Sequence, residues 1–401
     1  MATTNRIIYQ SEALFVDKAT RTSDDGHTDT AQQLFRVQDI SHDMDINRTD
    51  IFEFGQLAPL TRQIIEAPTV SLDFSYLLAD GVNEKTIGFV TDESANAISG
   101  ILDDDNRKEK NYYVTTVSEH NDVNVSGRLD ANAPYNASRT TVVGFGNASV
   151  TNYTVNVAVG DLPTASVTCE AYNLKFDRPQ EAGDGAWLSG DAPTINKETS
   201  KEYTDKYLIP TGSSGNLEVF SLRPGDVTMT FDAGGSRGKE DELQIGGAIL
   251  PTGDPDSASV ADGKTPIHIQ NFSIEVPLAR TPLNRIGSVF PYERAVDFPL
   301  DMTVNISALL ADMTTGSLVS LMCNDQDQRD ITINCSIPCA SNDDANSRNM
   351  KFVVKNAYLQ SQNMAATIGD NKTVDLSFTS QFGGVTDQDN GLFISGFGEG
   401  A

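Results

Sequence analysis

VQDISHDMDINRTDIFEFGQLAPLTRQIIEAPTVSLDFSYLLAD, residues 37–80, has a second copy later in the chain, IQNFSIEVPLARTPLNRIGSVFPYERAVDFPLDMTVNISALLAD, residues 269–312. Both copies are 44 residues long and align without a gap at a constant offset of 232. Twelve pairs are identical: Gln38/Gln270, Ser41/Ser273, Arg48/Arg280, Thr49/Thr281, Gly55/Gly287, Pro59/Pro291, Arg62/Arg294, Ser75/Ser307 and Leu77–Asp80 against Leu309–Asp312. Unrelated segments of average composition share about three in such a length. The stretch is an internal duplication.

Its two ends alternate as strands do. In the first copy Val37, Asp39, Ser41, Asp43 and Asp45 fall on one side, with Gln38, Ile40, His42, Met44 and Ile46 on the other. That pattern predicts a half-buried strand. The second copy keeps the phase, with Asn271, Ser273 and Glu275 opposite Phe272, Ile274, Val276 and Leu278. A slip of one residue would have reversed every side chain. Alternation stops between Asn47 and Arg62, which predicts a long structured loop. It resumes at Thr69, Ser71, Asp73 and Ser75, and at Asp301, Thr303, Asn305 and Ser307 in the second copy.

Later segments repeat in the same order. A short helix is expected at Ser94–Leu102 and at Thr315–Met322, then an acidic loop, then a strand at NYYVTTVS and at DITINCSI. A final unit, 140–172, matches 349–380 at an offset of 209 through Asn147/Asn356, Ala148/Ala357, Gly160/Gly369 and Asp161/Asp370. The change of offset places a shortened loop in the second copy, opposite Glu119–Arg139, and each Gly-Asp pair marks a hairpin turn. Asn216–Asp232 is strand-like and corresponds to the strands before the first copy.

These observations predict an all-β chain built from two tandem modules, each with a core of its own and a short helix. The boundaries are 1–177 for the first, 178–215 for a linker or surface excursion, 216–384 for the second and 385–401 for a Gly-rich tail. The chain's 401 residues suffice for both.

The formal charge of −27 argues against a nucleic-acid grip through phosphate neutralisation. Residues 1–30 contain no apolar run of signal-peptide type, and no apolar stretch is long enough for a bilayer, so a chain made and used in soluble form is expected. Four cysteines, Cys169, Cys323, Cys335 and Cys339, are too few for a disulfide framework and fit a reduced cytoplasmic pool. The sequons at Asn136, Asn147, Asn152, Asn305 and Asn371 follow from an Asn- and Thr-rich composition. No P-loop, dinucleotide glycine motif, G-x-S-x-G or H-E-x-x-H occurs. His27, His42, His120 and His268 are scattered, and CSIPC at 335–339 has no second pair to complete a metal site. The Asp clusters at Asp103–Asp105, Asp254/Asp256, Asp325/Asp327 and Asp343/Asp344 lack Ca²⁺-loop spacing and read as solvated loops. Neither an enzyme nor a cofactor is expected.

The first copy resembles the major tail tube proteins of long-tailed double-stranded-DNA bacteriophages. The residues that carry the resemblance are NRIIYQSEALFV, the run FRVQDISHDMDINRTDIFEFGQLAPLTRQIIEAPTVSLDFSYLLADGVNEKTIGF, ISGIL and NASVTNYTVNVAVGDLPTASVTCEAYNL. They span most of residues 5–177, and the second half is similar only through the internal repeat. The resemblance implies tandem β-sandwich or rolled-barrel modules, each with a short flanking helix, that close six to a ring, rings that stack into a tube, and DNA passing through the lumen during ejection. With two modules per chain, three chains would close a ring as a homotrimer. Candidate lumen residues are then Asp39, Asp43, Asp45, Asp73, Glu275 and Asp301, since an acidic wall repels phosphate. Candidate contacts between subunits or rings are Arg48, Thr49, Gly55, Pro59 and Arg62, with Arg280, Thr281, Gly287, Pro291 and Arg294. Implied partners are further copies of the chain, tape-measure, tail-terminator and distal tail proteins, and double-stranded DNA passing without tight binding. The place of action would be the virion tail, assembled in the bacterial cytoplasm. The competing readings are another structural β-sandwich protein, a capsid decoration, baseplate or bacterial surface module, and, third, a sugar-binding or hydrolytic module.

Overall fold

A computed structural model describes residues 12–18, 31–102, 109–116, 141–177, 179–182, 185–191, 193–197, 199–202, 206–208, 221–233, 243–245, 248–250, 268–309, 329–336, 349–366 and 371–396. The chain is all-β with two short helices among these residues. In order come β1 (Glu12–Lys18), β2 (Gln32–Gln33), β3 (Val37–Asp45), β4 (Arg48–Ile51), β5 (Thr61–Ile64), β6 (Thr69–Leu77), α1 (Val82–Ile87), α2 (Ser99–Leu102), β7 (Lys110–Thr116), β8 (Thr141–Ala158), β9 (Thr164–Ala171) and β10 (Asn173–Asp177). Five short strands follow, β11 (Pro179–Ala182), β12 (Gly185–Asp191), β13 (Ile195–Asn196), β14 (Lys201–Glu202) and β15 (Lys206–Leu208). The remainder is β16 (Val227–Ala233), β17 (Leu243–Ile245), β18 (Ala248–Leu250), β19 (His268–Pro277), β20 (Arg280–Leu283), β21 (Glu293–Val296), β22 (Asp301–Leu309), β23 (Arg329–Ser336), β24 (Asn349–Ala365), β25 (Thr373–Gln381) and β26 (Gly391–Ser395).

One antiparallel pairing order is built twice. β1 pairs β7, β7 pairs the first half of β8, and β10 lies on the other side of that half. β16, β23, β24 and β26 repeat this. β3, β6, β9 and the second half of β8 form a further run, matched by β19, β22, β25 and the second half of β24. The long strands thus pass from one layer into the other. Each turns at an asparagine with positive φ, Asn147 (52°) and Asn356 (51°), positions related by the offset of 209. Asparagine tolerates this conformation because its side chain can bond locally. Here the Asn147 backbone N–H donates to Asn111 Oδ1 (3.1 Å) and the Asn356 N–H to Asp330 Oδ1 (3.0 Å). The bulges recur in register too, between Val150 and Asn152 and between Leu359 and Ser361.

The apolar rows of both layers meet in the core, where Phe74 of β6 lies 5.8 Å from Tyr112 of β7, ring centre to ring centre. A separate core for each copy was expected. One contiguous cluster instead runs from Leu14 and Val16 through Tyr153, Ile274 and Val304 to Phe378 and Ile394. Two junctions fuse it: β19 pairs β8, and the segment after α1 lies along β26. Each fully buried aliphatic side chain contributes about 1.5–3 kcal/mol.

Five other expectations are corrected. The stretch 47–62 is a loop, residues 52–60, closed at its base by a hairpin of β4 on β5 that was not expected, matched by β20 on β21; its register Asp50↔Arg62 recurs as Pro282↔Arg294. Both faces of the first hairpin are exposed, so its sequence shows no alternation. The helix expected at 94–102 is confined to Ser99–Leu102, while Val82–Ile87 forms an unforeseen one. The Gly-rich tail supplies β26, whose Leu392, Phe393 and Ile394 are buried. β3, expected to be half-buried, is largely exposed, whereas its counterpart β19 buries Phe272, Ile274 and Val276. The difference is neighbours: β19 lies between β22 and β8, while β3 pairs only β6 among the described residues. The segment 178–215 is also more than a connection, since Thr194 and Ile195 are buried on the bend of β8 and the Ile195 N–H donates to Asn147 Oδ1 (2.6 Å). Thr315–Met322, Glu119–Arg139, Gly369 and Asp370 lie outside the described residues.

Glu84 of α1 is fully buried and accepts hydrogen bonds from Tyr76 (2.8 Å) and Tyr153 (3.2 Å). Burial pushes its pKa up, partly offset by those bonds. A folded pKa raised above the unfolded one means stability that is fully present below the unfolded value and is lost as pH rises through the folded value. Glu84→Gln keeps an acceptor and removes the proton. Thermal melts from pH 4 to 9 should show the variant gaining on the wild type as pH rises; parallel curves would remove this role for Glu84.

Candidate acidic face and interlocking joint

Direct cross-strand partners lie on the same side of a sheet, so the register alone sets out one face. One row reads Asp39, Ser75, Ser166, Thr154, Glu275, Thr303, Thr379 and Tyr358 across β3, β6, β9, β8, β19, β22, β25 and β24. The next reads Leu77, Thr164, Asn156, Ser273, Asn305, Ser377 and Ser361 across β6, β9, β8, β19, β22, β25 and β24, polar but for Leu77 at the end of β6. All six acidic positions singled out from the sequence fall on this face. Asp39, Asp43 and Asp45 oppose Ser75, Ser71 and Thr69; Asp73 opposes Ser41, Glu275 opposes Thr303, and Asp301 opposes Gln381. Glu170 and Asp375 join them. These strand stretches contain no lysine or arginine. The opposite side, with Phe74, Val167, Tyr153, Ile274, Val304 and Phe378, is the core. The continuous sheet therefore has one greasy side and one hydroxyl- and carboxylate-covered side.

The face crosses from the first set of strands to the second without interruption. β19 pairs the second half of β8 from Asn271↔Ala158 to Pro277↔Asn152. The β20–β21 hairpin then reaches over the first set. Arg280 Nε donates to the Val150 carbonyl (3.2 Å), and Arg294 donates to the Glu170 carbonyl (3.0 Å) with its guanidinium 4.1 Å from the Tyr172 ring centre. Phe290 meets Tyr172 edge-on at 6.0 Å, and the Arg285 guanidinium and Ser288 hydroxyl donate to the Lys197 carbonyl. Burial holds the Arg280 pKa below its ordinary value, opposed by nearby Glu109, and pushes the Tyr172 hydroxyl up. In the outer layer the Ala97 N–H donates to the Leu392 carbonyl and the Gly396 N–H to the Thr91 carbonyl, so residues 91–97 flank β26.

Of the loop residues predicted to make contacts between subunits or rings, Arg280 and Arg294 instead bond other strands of their own chain in this joint, Pro291 is buried beside it, and Thr281 bonds Asp297 (2.9 Å). Gly55 and Gly287 hold matching positive φ of 95° and 97° at the hairpin tips. The first hairpin has no such seat among the described residues: Arg48, Thr49 and Arg62 are exposed, Arg62 paired with Asp50 of its own hairpin, and Phe54 and Leu57 stand fully in solvent. Sequence reading missed Tyr172 and Glu84, and it found the Asn147/Asn356 match without its role at the strand bend. The repeat held no signal for Tyr172, since the offset of 209 sets the dissimilar Gln381 in its place.

His42 lies on exposed β3 with its ring 5.5 Å from Phe145. Cys169 and Cys335 are buried free thiols, each pushed by burial to about 12, and Cys339 lies outside the described residues. Among the described residues no group of three or more His, Cys, Asp or Glu could hold a metal ion, and no helix is long and apolar enough to cross a membrane. No protein-family model matches the chain, and no curated protein matches it.

Proposed function

We propose that the chain is a structural virion protein of two modules that assembles with itself into stacked rings, the tail tube of a bacteriophage, whose acidic bore conducts double-stranded DNA. The observation that carries this reading is the continuous, predominantly polar face on one side of a sheet whose other side is core. A tube wall has to be greasy within and wet toward its channel. The strand stretches of this face carry carboxylates and no lysine or arginine. Apart from Glu170, which pairs with Arg294 of the β20–β21 hairpin (3.6 Å), these carboxylates repel phosphate, so DNA meets a surface to which it does not adhere. The duplication accords with three chains supplying six modules to a ring, and the partners follow: further copies, tape-measure, terminator and distal tail proteins.

Electron microscopy of the concentrated protein tests the proposal. Hollow rings or tubes of uniform bore, with threefold symmetry approximating sixfold, are expected. Solid particles or dispersed single chains at high concentration would overturn it.

A further inference from the structure

The joint inside the chain leaves two unmatched halves of itself. β19 and its hairpin are seated on the second half of β8 and on β9, yet β3 and its hairpin have no such seat, and the second half of β24 pairs only β25 among the described residues. The offsets of 232 and 209 translate one joint into the other. Glu275↔Thr154 becomes Asp43 opposite Asn363, and Val276↔Tyr153 becomes Met44 opposite Gln362. Arg280 on the Val150 carbonyl becomes Arg48 on that of Leu359, and Arg294 on Glu170 becomes Arg62 on Thr379.

We propose that β3 and the β4–β5 hairpin of one chain dock on β24 and β25 of a second copy, in the register that places Asp43 opposite Asn363. This names the partner within the tube reading and rests on it for ring closure alone. Three features support it. Asp43, Met44, Ser361 and Asn363 are exposed, as an edge awaiting a strand requires. Both β3 and β24 keep the bulges of their counterparts, so the facing edges have the same shape as the pair already joined. The two halves lie at opposite ends of the pairing order, so the contact is head-to-tail and propagates or closes rather than stopping at two.

The two joints are not of equal strength. Tyr172, stacked under Arg294, is replaced by Gln381, and Phe290 by Ala58. The seam between chains lacks the cation–π contact of the seam within a chain, so rings come apart into whole chains. Gln381→Tyr is expected to lower the dissociation constant for self-association about five-fold, and Arg62→Glu to abolish association with an unchanged melting curve.

Asp43→Cys with Asn363→Cys in the full chain tests the register. Oxidation should give covalent dimers and trimers on non-reducing gels, beyond the background from wild-type cysteines. Asp43→Cys with Gln362→Cys, slipped by one residue and so on opposite faces, should not. Hollow rings that form without the cross-link would overturn this interface and leave the tube reading standing. Cross-linked chains without hollow rings would keep the interface and overturn the tube. An equal yield from the slipped pair would overturn the register.

Discussion

Val276→Asp is expected to lose more than about 4 kcal/mol of folding stability, while Met44→Asp, the same change at the repeat-related position, costs the isolated chain less than about 0.5 kcal/mol. Val276 is fully enclosed between β22 and β8; Met44 is 47% exposed on β3. A carboxylate at 276 has no water and no partner, so it must either stay protonated or pull β19 out of the sheet. At 44 it is solvated until another chain arrives. Met44→Asp should therefore melt as the wild type does and fail to self-associate, which denaturant titration and sedimentation read separately. Destabilisation of both variants to the same degree would show that β3 is already covered in the lone chain.

Gly146→Ala should be the next most damaging change, at about 3 kcal/mol, the upper end for overpacking. A Cβ built on Gly146 falls 1.9 Å from the Pro193 carbonyl oxygen, and one on Gly144 comes 3.1 Å from the Pro193 ring. The strand is bare there because residues 193–195 lie on it. At the corresponding positions β24 carries Val353 and Lys355. The Lys355 ammonium caps the Phe393 ring at 4.2 Å and donates to the Gln388 carbonyl. Urea unfolding of Gly146→Ala checks the expectation; a shift below 0.5 kcal/mol would mean that 193–195 can lift away at little cost.

That pair of glycines shows what could be read from the sequence and what could not. Glycine inside a strand pattern marks close backbone approach, and GFGNA against VVKNA differs at both glycine positions. The approaching segment could not be named, since residues 178–215 have a loop-like composition and touch β8 only through a fold the pattern does not encode. Strand phase was legible because alternation reports which side of a sheet a residue takes, and the acidic positions read from phase alone gather on one face. Depth was not legible. Ile40 and Met44 have the alternation of Phe272 and Val276 but one strand neighbour fewer, and neighbours far along the chain leave no trace in local periodicity. The α1 helix escaped because VNEKTI has no apolar stripe; its buried glutamate is held by tyrosines of β6 and β8.

The charge on β3 has a further effect on the company the chain keeps. Exposed strand edges readily pair with their own kind, and two β3 edges brought antiparallel would face Asp39, Asp43 and Asp45 with the same aspartates. The second half of β24, AYLQSQNMA, carries no charge. Twofold association through β3 is thus disfavoured by repulsion, while the neutral edge can receive it. The aspartates act as a filter on association before any bore exists, steering a population of identical chains away from closed pairs and toward one-way growth.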